Sequence, residues 1–293
     1  MTLFSGKKRI FVGLFFLSLV LLAGWVVNRY VNEYTSDFLD HTLYSSVMKE
    51  SRKVFVRLPH HYDPEKAYPL IIRTDGNFNL KRWDASLADF AQATNNDDAI
   101  LVSIPNHYLK DTRNRDLVPP YARRNVMIEP RPDNEKEPPE FGQADVFLTF
   151  IETELLPYIE DHYRISDNRV LSGFSAGGSL VLYAMVTKPD LFTGYFAFSP
   201  AAWYDDSVVV KEFKKHLVNS EGASKFLYLS LGGAENDIIT GAFHGLAEAL
   251  KTRAPENLVW SVNFSEGAGH VDNPYISVPK AISAYANFRE QMY

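Results

Sequence analysis

The chain of 293 residues contains no cysteine. Disulfides and thiolate metal sites are thereby excluded, although this absence fits either side of a membrane. A basic stripe is also lacking, and the net charge is −6. Nucleic acid is therefore not an expected partner. No internal repeat is visible, which argues against an array architecture. What is present is ample apolar material, 46% of residues with 14% aromatic. That permits a substantial core, and the length suits one large α/β domain or two small ones.

One long apolar run opens the chain. Lys7-Lys8-Arg9 precede Ile10 to Val27. About 18 residues just suffice to span a bilayer as a helix. Leu21-Leu22-Ala23 is a poor cleavage site for a signal peptide, and Trp25 and Tyr30 suit a membrane interface. The run is read as an uncleaved signal anchor within residues 1–30. Secretion after cleavage is the alternative. The basic cluster places residues 7–9 in the cytoplasm and everything after Tyr30 on the other side, periplasmic or extracellular. Residues 31–40 read as a polar stalk, and 41–293 as the main folded domain.

Further on, apolar runs alternate with helical patterns. Strands are expected at 51–58, 68–74, 99–104, 168–172, 193–198, 225–231 and 258–264. Helices are expected at 84–93, 143–163, 179–186, 207–218, 242–251 and 278–289, with Pro157 kinking or splitting the second. Such alternation implies right-handed crossovers and a mostly parallel sheet with helices on both faces. Between Asn106 and Gly142 lies a charged, proline-rich stretch with no regular pattern. It reads as a lid or binding loop, or else as a linker.

The stretch Val170–Gly178, VLSGFSAGG, organises the rest. Gly173-Phe174-Ser175-Ala176-Gly177 fits G-x-S-x-G, a sharp strand-to-helix turn that presents a serine hydroxyl at the top of a sheet. A serine is a weak nucleophile at neutral pH and needs a base, which in turn needs an orienting carboxylate. His270 lies in a loop directly after a strand and is the expected base. His216 and His244 fall within helices and read as surface or packing residues, as do the histidines that precede the serine. Glu235 and Asp237 follow another strand. Glu235 is the preferred acid, because Asp237 suits the cap of the next helix. The oxyanion hole calls for two backbone amides, one at Ala176 and the other at Gly76 or Asn77. Arg113 and Arg115 either bind an anionic or catecholate-like group or merely order their loop. Trp203, with Tyr204, supplies an aromatic wall or a packing contact.

Further segments carry a resemblance. Leu43-Tyr44-Ser45, the strand Tyr68–Thr74 ending in Asp75-Gly76, Arg113–Pro119 (RNRDLVP), Glu152–Tyr163 and Phe198–Trp203 (FSPAAW) occur in order. Together with the elbow they resemble the putative-esterase group of α/β-hydrolases, which includes esterase D-like and siderophore esterases. The resemblance covers roughly residues 41–288. It implies an α/β-hydrolase fold and hydrolysis of a small-molecule ester, with Ser175 as nucleophile and His270 as base, and no cofactor. Some siderophore esterases work with a Ser–His pair alone, so the resemblance does not itself demand the acid. Ala201 and Ala202 depart from the commonest form of the family. An acyltransferase on the same scaffold shares the acyl-enzyme chemistry. A binding protein that has lost catalysis would keep the fold.

Overall fold

The computed structural model describes residues 3–34, 37–94, 98–107, 110, 112–122, 141–217 and 224–292. The chain divides into two units, residues 1–37 and 38–293. The first is a single helix, α1 (Leu3–Tyr34). Its segment Phe11–Asn28 is long and apolar enough to cross a membrane, by length and composition. The helix runs past Val31, where a stalk was expected, because nothing in Val31-Asn32-Glu33-Tyr34 breaks it.

The second unit begins with a hairpin, β1 (Leu39–Ser45) and β2 (Glu50–Arg57), followed by β3 (Tyr68–Arg73), α2 (Leu80–Thr94) and β4 (Ile100–Ser103). A short helix α3 (Arg113–Leu117) precedes α4 (Ala144–Phe150), a π-helical turn (Ile151–Leu155) and α5 (Leu156–His162). Then come β5 (Ile165–Phe174), α6 (Ala176–Thr187), β6 (Gly194–Phe198) and α7 (Tyr204–His216). The chain closes with β7 (Lys225–Gly232), α8 (Asp237–Arg253), β8 (Leu258–Ser265) and α9 (Asn273–Met292).

All eight strands form one sheet in the order β1-β2-β4-β3-β5-β6-β7-β8. Strands β3 to β8 run parallel, and β1 and β2 are antiparallel at one edge. The parallel strands read as dense apolar runs because both of their faces are covered. Ile72, Val102, Leu171, Ala197 and Leu229 pack under α4 to α8. Ile71, Leu101, Val170 and Phe196 face Trp83 and Leu87 of α2 and Ile282 and Tyr285 of α9. Strand β1 was not anticipated. It is an edge strand whose outward residues, Asp40, Thr42 and Tyr44, are polar or exposed, so little apolar alternation marks it in the sequence.

Two expectations meet the backbone directly. Pro157 does split its helix: the Leu156 N–H reaches back five residues to the Ile151 carbonyl, and the π turn absorbs the residue that cannot donate. The stretch Asn106–Gly142 is regular in part, since Arg113–Leu117 is helical. Residues 123–140, where a lid or linker was expected, lie outside the described residues.

Helix α3 is fastened to β2 by a buried charge cluster. Arg115 Nη2 donates to Glu50 Oε1 at 2.6 Å and its Nε to Asp116 Oδ1 at 2.6 Å, while Arg52 Nη1 meets Asp116 Oδ2 at 2.7 Å. Burial alone would raise the Glu50 pKa, but hydrogen bonds from Arg115 and Arg52 outweigh it and hold the carboxyl at about 2. Arg115 is thus consumed in joining α3 to the sheet. It does not line the cavity described below, and of its two expected roles, substrate contact or ordering of the loop, these contacts fit the second.

Candidate active site

The carboxyl ends of the parallel strands gather the chemistry, as expected for an open α/β sheet. Ser175 follows β5, Glu235 follows β7, His270 follows β8 and Asp75 follows β3. At Ser175 the backbone adopts φ 56° and ψ −117°, a strained conformation for a residue with a side chain. Two glycines permit this turn. A Cβ on Gly173 would collide with the Gly177 backbone, and one on Gly177 with Thr74 Oγ1. The Ser175 N–H donates to the Phe198 carbonyl at 3.0 Å and pins the elbow to β6.

Ser175 and His270 line one cavity of about 710 Å³. His270 Nδ1 lies 2.5 Å from Glu235 Oε2, so a proton on Nδ1 is held and Nε2 is left for the cavity side. The imidazole also packs between Phe174 (ring centroids 4.7 Å apart) and Trp203 (5.9 Å). The Glu235 side chain is fully buried. Its other oxygen accepts from Ser199 Oγ at 2.5 Å and from the Gly232 N–H at 2.8 Å. Burial would raise the Glu235 pKa, but the bonds from His270, Ser199 and Gly232 prevail and lower it.

Beneath the acid lies a polar network that the sequence reading missed. Asn273 Nδ2 donates to Ser199 Oγ (2.8 Å) and Ser230 Oγ (3.0 Å), while Ser265 and Ser277 donate to Asn273 Oδ1. Because Asn273 fills the acceptor side of Ser199, the Ser199 proton is directed to Glu235. The available signal was Asn-Pro at the start of a helix three residues after His270, together with Ser199 in the FSPAAW segment.

The remaining expected residues divide. Asp237 is the exposed first residue of α8 and no hydrogen bond joins it to His270 among the described residues. Its expected capping role falls to Asn236, whose side chain accepts from the Ile239 N–H. Gly76 is not a free donor. Its N–H is bonded to the Ile104 carbonyl at 2.8 Å, because the turn after β3 packs against the exit of β4. Of the two residues expected at that turn, Asn77 keeps an N–H with no protein acceptor among the described residues, and so does Ala176. Both are buried, next to cavity-lining neighbours.

Arg113 and Trp203 do line the cavity. Arg113 grips Asp75 with both ends of its fork, at 2.7 and 2.8 Å, and also donates to the Phe174 carbonyl. It therefore ties α3 to the elbow. Trp203 is buried, and its Nε1 has no acceptor among the described residues.

Comparison with known proteins bears on the family and the fold. The ferri-bacillibactin esterase BesA of Bacillus subtilis is 31% identical over 166 residues, 54% of this chain and 56% of the relative. A siderophore enterobactin esterase of Emericella nidulans is 34% identical over 144 residues, 47% of this chain and 46% of the relative. The chain thus spans about half the length of these relatives. Two solved structures are similar over more of the chain. The BES protein from Bacillus cereus has a TM-score of 0.72 and 25% identity, covering 84% of this chain and 95% of its own. An IroE-like serine hydrolase from Shewanella oneidensis has a TM-score of 0.73 and 25% identity, covering 84% and 79%. The fold is thus α/β with a mostly parallel sheet, shared with hydrolases of this kind. The sequence model described as "Putative esterase" matches residues 45–217, more than half of the chain, and the protein belongs to that family.

Proposed function

We propose that the chain is a serine esterase that cleaves small-molecule carboxylic esters through an acyl-enzyme on Ser175. The observation that carries this reading is His270, held by the buried Glu235, lining one cavity with a serine on a strained elbow. Ser175 Oγ attacks the ester carbonyl as its proton passes to His270 Nε2, while Glu235 holds the imidazolium. The Ala176 and Asn77 amides donate to the oxyanion. His270 returns the proton to the departing alcohol. Water then repeats the sequence in reverse roles, releasing the acid and freeing Ser175. These steps need no cofactor. The names of the relatives favour siderophore-type esters as the substrate class.

A fluorophosphonate probe tests the reading most directly. It should phosphonylate Ser175, located by mass spectrometry of the digested protein, and a neutral ester should be hydrolysed by the same preparation. A protein left unlabelled at Ser175 and inert toward esters would sink the proposal.

Helix α1 is proposed as an uncleaved signal anchor, with the catalytic unit on the non-cytoplasmic side. The length of Phe11–Asn28 and the poor cleavage site support it. Amino-terminal sequencing of exported protein should find α1 still attached. A mature protein starting just after Ala23 would refute the anchor and favour a signal peptide.

A further inference from the structure

The cavity contains a charge that the esterase chemistry leaves unused. Arg73 ends β3, an otherwise apolar strand, and is one of the residues lining the cavity although it is only 6% exposed. On the adjoining wall the guanidinium lies over the Trp83 ring, 5.4 Å from its centroid. Nη2 donates to the Asp75 backbone carbonyl at 3.1 Å. Nη1 is buried and has no hydrogen-bond partner among the described residues.

A buried guanidinium normally pairs with a carboxylate, because leaving a charged donor unpaired costs more than an ordinary hydrogen bond returns. The nearest candidate is Asp75. Its two carboxylate oxygens are already engaged by the fork of Arg113, and Oδ1 also accepts from Asn106 Nδ2 at 2.6 Å. Of the charged side chains on the cavity wall, Arg113 and Asp75 therefore neutralise each other, and Arg73 is left as one uncompensated cation. Burial is costly enough to lower the Arg73 pKa to about 10, with Asp75 opposing the shift, and the group still carries its charge at neutral pH. The surrounding wall is largely aromatic, with Phe78, Trp83, Phe198 and Tyr275. Within such a low-dielectric wall, one anionic group on a ligand meets a strong and unshared partner.

We propose that Arg73 is a specificity-determining residue that seats a carboxylate, so that the preferred substrates are esters carrying a carboxylate at the end away from the scissile bond. Arg113, held by Asp75, orders the wall and leaves this anion to Arg73. The proposal deepens the esterase reading and rests on it for the position of the scissile bond.

The test compares isosteric ester pairs on the full chain. Monoethyl adipate and monoethyl suberate are set against ethyl hexanoate and ethyl octanoate for an anion on the acyl half. For an anion on the alcohol half, 6-acetoxyhexanoate is set against hexyl acetate. The native protein should favour the anionic member of at least one pair. Arg73→Met should lower kcat/KM for that member by about 10- to 100-fold, mostly through KM. The neutral member should stay within about threefold. Arg73→Lys keeps the charge on a different stem and should recover part of the preference, which guards against a variant that folds poorly. An equal fall for both members, or no preference in the native protein for either half, would overturn the proposal.

A binding measurement separates this outcome from failure of the esterase reading. Monoethyl adipate, monoethyl suberate and 6-acetoxyhexanoate should each be tried with Ser175→Ala protein, and at least one should raise its melting temperature. The rise should vanish when Arg73→Met is added. A rise that survives Arg73→Met, or the absence of any rise, would remove the subsite even if Ser175 proves to be the nucleophile. A rise that depends on Arg73 in a protein inert toward every ester would keep the anion site and discard the hydrolysis.

Discussion

Ser175→Ala and His270→Ala should each lower kcat for a good ester by about four to six orders of magnitude, and the double variant should lose no more than the worse single one. In the proposed mechanism the two side chains form one proton-transfer unit. Removing the hydroxyl leaves the imidazole nothing to deprotonate, and removing the imidazole leaves a hydroxyl too weak to attack at neutral pH. What survives is substrate binding and the two amides at Ala176 and Asn77, which are untouched in all three variants. Fold and melting temperature should change little for Ser175→Ala, within about 2 °C by the usual scale of small substitutions. Alanine at this position keeps the positive φ and the N–H bond to Phe198. His270→Ala also uncovers Phe174 and Trp203, which pack on its ring, and should lose somewhat more stability. Single-turnover kinetics and thermal melts on the three variants decide the matter. Losses that multiply in the double variant would mean that the two residues act independently, and the paired mechanism would fail.

Much of this arrangement was legible because the elbow writes its backbone demands into residue type. Gly173 and Gly177 have to be glycines for the chain to pass Gly177 and Thr74 at all. His270 was legible from its place after a strand in a sequence whose other late histidines fall within helices. The parallel strands announced themselves as apolar runs, since two covered faces leave few positions for polar residues. Where expectation failed, the deciding contact was distant in sequence. Arg115 does meet Asp116, as its loop-ordering reading has it, but only folding brings Glu50 against it from 65 positions earlier. Gly76 loses its free N–H to Ile104, just past the end of β4. The Asn273 network joins four serines from the ends of β6, β7 and β8 and from α9, and no local pattern encodes that meeting. Strand β1 was hidden because an edge strand with one wet face can be built from Asp, His and Thr.

Glu235→Gln should cost about two to four orders of magnitude in kcat, whereas Asp237→Asn should stay within about threefold. The reason lies in which atoms can donate. Oε1 of Glu235 already receives two protons, from Ser199 Oγ and the Gly232 N–H. A glutamine in its place has one carbonyl oxygen and must turn it to those two donors. Its NH₂ group then faces His270 Nδ1, which has to become an acceptor. The ring proton moves to Nε2, the atom that must take the proton from Ser175, and the base is blocked in the wrong tautomer. Asp237 is exposed at the start of α8, and its removal disturbs neither His270 nor the Asn236 cap.

The same substitution has a pH signature. Glu235 has its pKa lowered in the folded protein, so its ionised form adds stability above the ordinary carboxyl value, and that contribution is lost as pH falls through the lowered one. Melting temperatures of the native protein should fall on acidification below about pH 4.5, and part of that slope should disappear in Glu235→Gln. At pH 7 the variant should be the less stable protein. Its kcat should not recover at any pH, because the tautomer is set by the amide rather than by titration. If Asp237→Asn proves the costlier change, the orienting carboxylate is Asp237. If neither change lowers kcat appreciably, Ser175 and His270 work as a pair with Glu235 only supporting the loop.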